Sequence, residues 1–288
     1  MKKLALLLAA LGVVSAATYA APELTVTSIG QEVEIEHTNG TDDTTAWLFN
    51  TVKLQYDTWN FGMTAGKQWN YDDKDNNDGK GLTSINSRLQ FDVAKKITDD
   101  FTLTGRYRGQ KNFDRFQMGY NYNFGMFATS GDLFYDSHNG EGHDEFHAEL
   151  FPIKASYGPV TLAYYLEYVK DLGGREPGER EDYIDHQLRV YATLYKGERL
   201  TLSTEGRFTF AADENWKDKD GKAVEYKHFD DLGGNNRVYL KANYAMTENL
   251  NVYANYFYQL RDYKYENSKK DNLKEYTSNV VLGWTYKF

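Results

Sequence analysis

The dominant pattern in the chain is alternation of apolar and polar side chains with a period of two. Val280, Leu282, Trp284, Tyr286 and Phe288 share one parity, and Val281, Gly283, Thr285 and Lys287 the other. Leu250, Val252, Ala254, Tyr256, Tyr258 and Leu260 alternate with Asn251, Tyr253, Asn255, Phe257, Gln259 and Arg261. Phe116, Met118, Tyr120, Tyr122, Phe124 and Met126 alternate with Gln117, Gly119, Asn121, Asn123 and Gly125. Leu89, Phe91 and Val93 oppose Arg88, Gln90 and Asp92, and Phe101, Leu103 and Tyr107 oppose Thr102, Thr104, Arg106 and Arg108. Successive side chains of a strand point to opposite faces, whereas a helix would gather neither set on one side. Weaker versions of the pattern predict strands at 31–36, 46–56, 60–69, 132–136, 145–157, 160–169, 183–195, 200–210 and 237–244. Pro152 removes a ladder donor, so the segment around it is the least regular of these.

The connections predict how the strands are joined. Tight ones, at 57–58, 95–99, 158–159, 196–198 and 245–249, take turns with long charged ones at 70–81, 171–182, 211–235 and 262–274. Further short links fall near 110–114 and 128–131. Short turns on one side and long loops on the other are the habit of transmembrane β-barrels, which close on an even number of strands. The predicted fold is therefore all-β: one antiparallel transmembrane barrel over residues 21–288, of about 14 strands, or 12 if those at 132 and 145 merge. A soluble sandwich also alternates, but would place Val, Ile and Leu on its inner face. Here the apolar parity carries Tyr, Phe, Met and Trp, and the polar parity carries Arg, Asn, Gln and Thr.

Composition sharpens this reading. The 288 residues include 24 tyrosines, 16 phenylalanines and 5 tryptophans, yet mean hydropathy is −0.70. So many aromatics in so polar a chain must be spread singly, as lipid-facing residues are in a barrel. The start reads as an export signal over residues 1–20: Met1-Lys2-Lys3, an apolar run from Leu4 to Val14, then small residues to Ala20. Its removal would take Lys2 and Lys3 from a chain whose formal charge is already −9. After Ala21 no apolar run is long enough to cross a bilayer as a helix, which excludes a helical inner-membrane protein. With 0 cysteines, neither disulfides nor thiolate metal sites are available. Only 4 prolines and no Gln or Ser tracts argue against a disordered secreted chain.

The terminal alternation ending in Trp284, Tyr286 and Phe288 resembles the C-terminal strand by which outer-membrane proteins are recognised for assembly. Met1-Lys-Lys-Leu-Ala-Leu-Leu-Leu8, the Tyr-rich strands and the acidic loops resemble the major outer-membrane porins of fusobacteria. Phe101-Thr-Leu-Thr-Gly-Arg-Tyr-Arg108 and Leu162-Ala-Tyr-Tyr-Leu-Glu-Tyr168 are also similar in style to the oligogalacturonate-specific porins. These resemblances imply a passive diffusion pore in the outer membrane, without naming a solute.

If the apolar parity faces lipid, the other faces the lumen. That assigns Arg88, Arg106, Arg108, Arg189, Arg207, Arg237 and Arg261 inward, with Asp92, Asp185 and Glu205 as candidate inward carboxylates. Antiparallel pairing should set Arg88 near the height of Arg106 and Arg108, and Arg189 opposite Arg207. Cross-strand neighbours lie only about 5 Å apart at Cβ, so such arginines need carboxylates or an anionic solute nearby. Two readings share these residues. In one, arginines and carboxylates pair along a solvated wall. In the other, an arginine ladder favours anions, including acidic sugars, through bidentate contacts. Acidic loops at the mouth would oppose anions.

Other chemistry finds little support. Asp144 and Asp185 adjoin His143 and His186, but strand neighbours point to opposite faces. His186 shares parity with Leu188 and Val190 and should face lipid near a rim. Asp73, Asp75 and Asn77 resemble the start of a calcium loop, but Gly79 and Ser84 stand where the pattern requires otherwise. Asp218-Lys-Asp220-Gly221 resembles it more faintly. No cofactor, metal or nucleic-acid site is expected, and the chain is not expected to be an enzyme. A rim hydrolase and an adhesin displaying binding loops are the alternatives. Expected partners are outer-membrane lipid and lipopolysaccharide, the barrel assembly machinery and small hydrophilic solutes. Homotrimer assembly is left open.

Overall fold

The computed structural model describes residues 23–39, 44–71, 82–140, 143–173, 179–218, 220–229, 234–266 and 273–288. The predicted export signal and the calcium-like residues Asp73, Asp75 and Asn77 lie outside them. The strands are β1 (Thr25–Thr38), β2 (Thr44–Tyr56), β3 (Trp59–Asn70), β4 (Thr83–Lys96) and β5 (Phe101–Gln110). They continue as β6 (Phe113–Phe124), β7 (Phe127–His138), β8 (Asp144–Tyr157), β9 (Val160–Leu172) and β10 (Glu179–Lys196). The last are β11 (Leu200–Lys217), β12 (Ala223–Phe229), β13 (Asn235–Ala245), β14 (Leu250–Glu266) and β15 (Leu273–Lys287).

From β1 to β11 each strand pairs antiparallel with the next. β11 then pairs with β13, β13 with β14 and β14 with β15. β15 returns to β1, from Ser28 opposite Lys287 to Thr38 opposite Thr277. The result is a closed antiparallel barrel of 14 strands, with β12 as an addition at one rim. The segments at 132 and 145 are separate neighbours, β7 and β8, so the merged count of 12 does not apply.

Where the boundaries differ from the periodicity, the cause is local. The link placed at 128–131 lies inside β7, and the turn is Gly125-Met126. Gly125 has φ +77°, a left-handed conformation that glycine adopts without steric cost. Because Phe124 and Met126 share a parity, the alternation runs through this turn and hides it. The long connections are also shorter than their charge suggests. β9 runs to Leu172, β14 to Glu266 and β15 starts at Leu273.

Most of 211–235, expected as a loop, is wall. β11 continues to Lys217, and β12 pairs with β11 and with β14, carrying on the line of β13. Both of its parities mix apolar and polar residues, Val224 and Tyr226 with His228 and Ala223 and Phe229 with Glu225 and Lys227, so periodicity could not reveal it. In the hairpin turn, Asp218 Oδ1 accepts the backbone N–H of Asp220 at 3.0 Å and of Lys222 at 2.8 Å. The faintly calcium-like sequence there uses its first carboxylate to close a turn.

Two irregularities reverse the inward parity. At Pro152 the register of β8 against β9 jumps between Leu150 and Ile153. Glu149 and Phe151 turn inward before it, and Lys154 after it. In β11 the register against β10 shifts across Phe210, so Arg207 and Thr209 line the interior, followed by Ala212 and Glu214.

The outer surface is apolar and uncovered: Met118, Leu240 and Leu282 are 75%, 55% and 53% exposed. An apolar surface on this scale is foreign to water. The best-buried side chains are instead polar, Asp185 and Thr209 at 1%. Glycines make room for inward rings: a Cβ on Gly66 would overlap the Phe49 ring, and one on Gly283 the Tyr253 ring.

Candidate functional site: the barrel interior

The enclosed space divides into wall cavities of about 760, 550 and 430 Å³. Arg88, Asp92, Arg106 and Arg108 line the first of these, walled by β1 to β7 together with β14 and β15. Asp185, Arg189, Arg207, Arg237 and Arg261 line the second, on β10 to β14. Glu205 lies beside them, accepting from Arg207 Nε at 2.6 Å and from Lys241 Nζ at 2.5 Å.

Register separates these residues further. Arg189 is directly opposite Arg207, as antiparallel pairing requires, and Arg207 is opposite Arg237. Arg88 is not level with Arg106 and Arg108: it faces Gln110, while Asp92 faces Arg106 and Gln90 faces Arg108. The tight turn after β4 begins at Ile97, so Arg88 stands two residues from the level of Arg108 and four from that of Arg106.

The arginines fall into two groups. Arg106 pairs with Asp92 at 2.5 Å, Arg207 with Glu205, and Arg261 with Glu275 at 2.6 Å. Arg115 grips Asp136 as a fork, Nε to Oδ1 at 2.7 Å and Nη2 to Oδ2 at 2.6 Å. Arg180 joins Glu145 at 2.5 Å, Asp171 at 3.3 Å and Glu214 at 3.8 Å. By contrast Arg88, Arg108, Arg189 and Arg237 have no carboxylate within 4.0 Å among the described residues. They donate to neutral groups instead: Arg108 to Gln90 at 2.9 Å, Arg189 to Gln187 at 2.8 Å, and Arg237 to Tyr239 and Gln259.

Aromatic faces support five of them. Arg88 lies over Trp47 and Phe49, Arg115 over Phe134 at 3.9 Å, and Arg189 over Tyr165 at 3.4 Å. Arg207 lies over Tyr239 and Arg237 over Phe257, each at 4.8 Å. Stacking holds a guanidinium in place while leaving its edge free to donate. These inward rings are what sequence reasoning missed. Around Trp47-Leu48-Phe49 both parities are apolar, so alternation gives no direction. Arg115, one residue before Phe116, was legible from parity.

Asp136, Glu145 and His147 bring ligand atoms within 4.8 Å of one another, a spacing that could hold a metal ion. His147 stacks on Phe134 with centroids 4.3 Å apart and reaches Glu145 Oε2 at 3.0 Å. The Arg115 fork and Arg180 already give both carboxylates cationic partners, so the trio is a closed ion-pair network. His186 faces outward, where its Nδ1 and the Tyr164 hydroxyl share a hydrogen bond of 2.8 Å. Asp144 accepts the hydroxyl of Tyr135 and the backbone N–H of His138.

No protein-family model matches the chain, and no curated protein sequence matches it. Solved structures do. One described as a bacterial polysaccharide outer membrane secretin superposes with a TM-score of 0.56 at 8% identity, over 91% of this chain and 98% of that one. An anion-selective porin from Comamonas acidovorans has a TM-score of 0.44 at 11% identity, over 92% and 100%. OprD from Pseudomonas aeruginosa has a TM-score of 0.46 at 9% identity, over 94% and 98%. At such identities the first of these speaks to architecture alone. The fold is that of an outer-membrane β-barrel.

Proposed function

We propose that this chain spans the bacterial outer membrane and is a passive pore for small hydrophilic solutes. The observation that carries the reading is the inversion of the barrel: uncovered apolar side chains outside, charged and hydrogen-bonding side chains around the space within. Hydrocarbon suits the first and water the second. Unpaired side chains of both signs line the wall, so no ring of one charge sets a strong preference for anions or cations. In this reading residues 1–20 are the export signal, and Trp284, Tyr286 and Phe288 present the assembly signal. Of these, Phe288 is 68% exposed at the end of the closing strand. Lipid and lipopolysaccharide surround the barrel, which works as a monomer or homotrimer without a cofactor or enzymatic step.

The test is a planar-bilayer recording with the refolded mature chain, alongside solute flux from liposomes. Stepwise conductance and release of small sugars are expected. A silent bilayer and retained sugar would reject the pore and leave an anchored adhesin.

A further inference from the structure

Two belts of opposite charge cross the same wall, one above the other. Asp132, Glu149, Glu167 and Asp185 stand on β7, β8, β9 and β10 as direct register partners: Asp132 opposite Glu149, Glu149 opposite Glu167, Glu167 opposite Asp185. None of the four has an ion-pair partner within 4.0 Å among the described residues. The second belt is Arg189, Arg207 and Arg237 on β10, β11 and β13, again in direct register. Acids this close to arginines would ordinarily pair with them. A neutral row prevents it. Gln187 lies between, donating Nε2 to Asp185 Oδ2 at 2.5 Å and accepting Arg189 Nε at 2.8 Å. Tyr165 lies in the same row, opposite Gln187, with the Arg189 guanidinium on its face.

Both belts line the one cavity of about 550 Å³, the acids through Glu149, Glu167 and Asp185. The Asp185 carboxylate, 1% exposed, is approached by Gln187, Thr209 and Tyr183, yet its Oδ1 accepts no well-formed hydrogen bond. A buried acceptor without a partner is costly unless a donor arrives. Asp185 and Arg189 are four residues apart on one strand, about 13 Å along the backbone. Side chains and hydrogen bonds take up part of that, leaving a gap the length of a short solute with unlike ends.

Resting on the pore reading, we propose that this cavity binds a small zwitterion of dipeptide size, ammonium on the carboxylate belt and carboxylate on the arginine belt. A simple anion or cation satisfies one belt only. β10 runs from the long-loop rim toward the tight turns, so the ammonium end points to the long-loop rim.

Calorimetry on the detergent-folded full chain tests this without requiring conductance. The probes are dialanine, N-acetyl-dialanine, dialanine amide and the doubly blocked compound. Blocking either end should weaken binding by about tenfold or more, since a charge-assisted contact is lost. Glu167→Gln with Asp185→Asn should make dialanine and its N-acetyl form bind alike. Arg189→Gln with Arg237→Gln should do the same for dialanine and its amide. Equal affinity of all four probes for the unaltered barrel, or no binding by any, would overturn the proposal, whether or not the variants fold. A silent bilayer with zwitterion binding intact would reject only the pore.

Discussion

At the scale of single residues, the interior is governed by which charges have partners. Asp136 is held by the Arg115 fork with its side chain 4% exposed. Replacing Arg115 with Met should strand that carboxylate and cost about 3–5 kcal/mol, the range for breaking a buried pair. Adding Asp136→Asn should restore most of the loss. Urea unfolding in lipid vesicles, followed by tryptophan fluorescence, would show it, and additive losses in the double variant would refute the pairing. The same sorting separates Arg106 from Arg108. Arg106 is neutralised by Asp92, whereas Arg108 meets only Gln90. Arg108→Ser should therefore move the reversal potential under a salt gradient toward cations more than Arg106→Ser, and equal shifts would count against the distinction. Parity in the sequence was enough to turn these arginines inward. It could not tell which were paired, because partners such as Asp136, Glu275 and Lys241 come from strands whose register is set by distant turns and bulges.

At the scale of elements, strands were legible wherever aromatic residues alternate with polar ones, and illegible where both parities mix apolar and polar residues. The rim hairpin of β11 and β12 is the chief instance. Deleting 212–229 would remove the ladder partner of β10 above Asp185 and of β14 at Lys264–Glu266, leaving unsatisfied strand edges. Removing only the tip at 218–222 should be tolerated after joining the strands with a two-residue Asn-Gly turn. Limited proteolysis of both variants in vesicles should cut the first within β10 or β14 and spare the second. Pro152 was recognised as an irregularity, but its effect on facing was not. The bulge there brings Lys154 inward, and without it Ile153 would take that place. Gly66 shows a similar limit. Gly66→Val should force Phe49 off its place under Arg88, lowering stability by about 1–3 kcal/mol as overpacking does, measurable as an earlier urea midpoint.

At the scale of the whole molecule, the inward and outward surfaces reverse the ordinary relation between a protein and water. Sequence conveyed that reversal through many aromatics, few continuous apolar runs and a strongly polar mean. Requiring both ends on one side made the strand number even, and the count of alternating segments placed it at about 14, with 12 as the alternative.

The wall is closed by the first and last strands, Ser28 beside Lys287. The final β15 backbone partners are made last, as the chain is synthesised from β1 onward. Until they exist, β1 has an edge with nothing to bond. Such a chain cannot complete its shape while it is still emerging. On the outer-membrane reading proposed above, it would cross the envelope as an unfinished ribbon, its aromatic side chains uncovered until the seam closes.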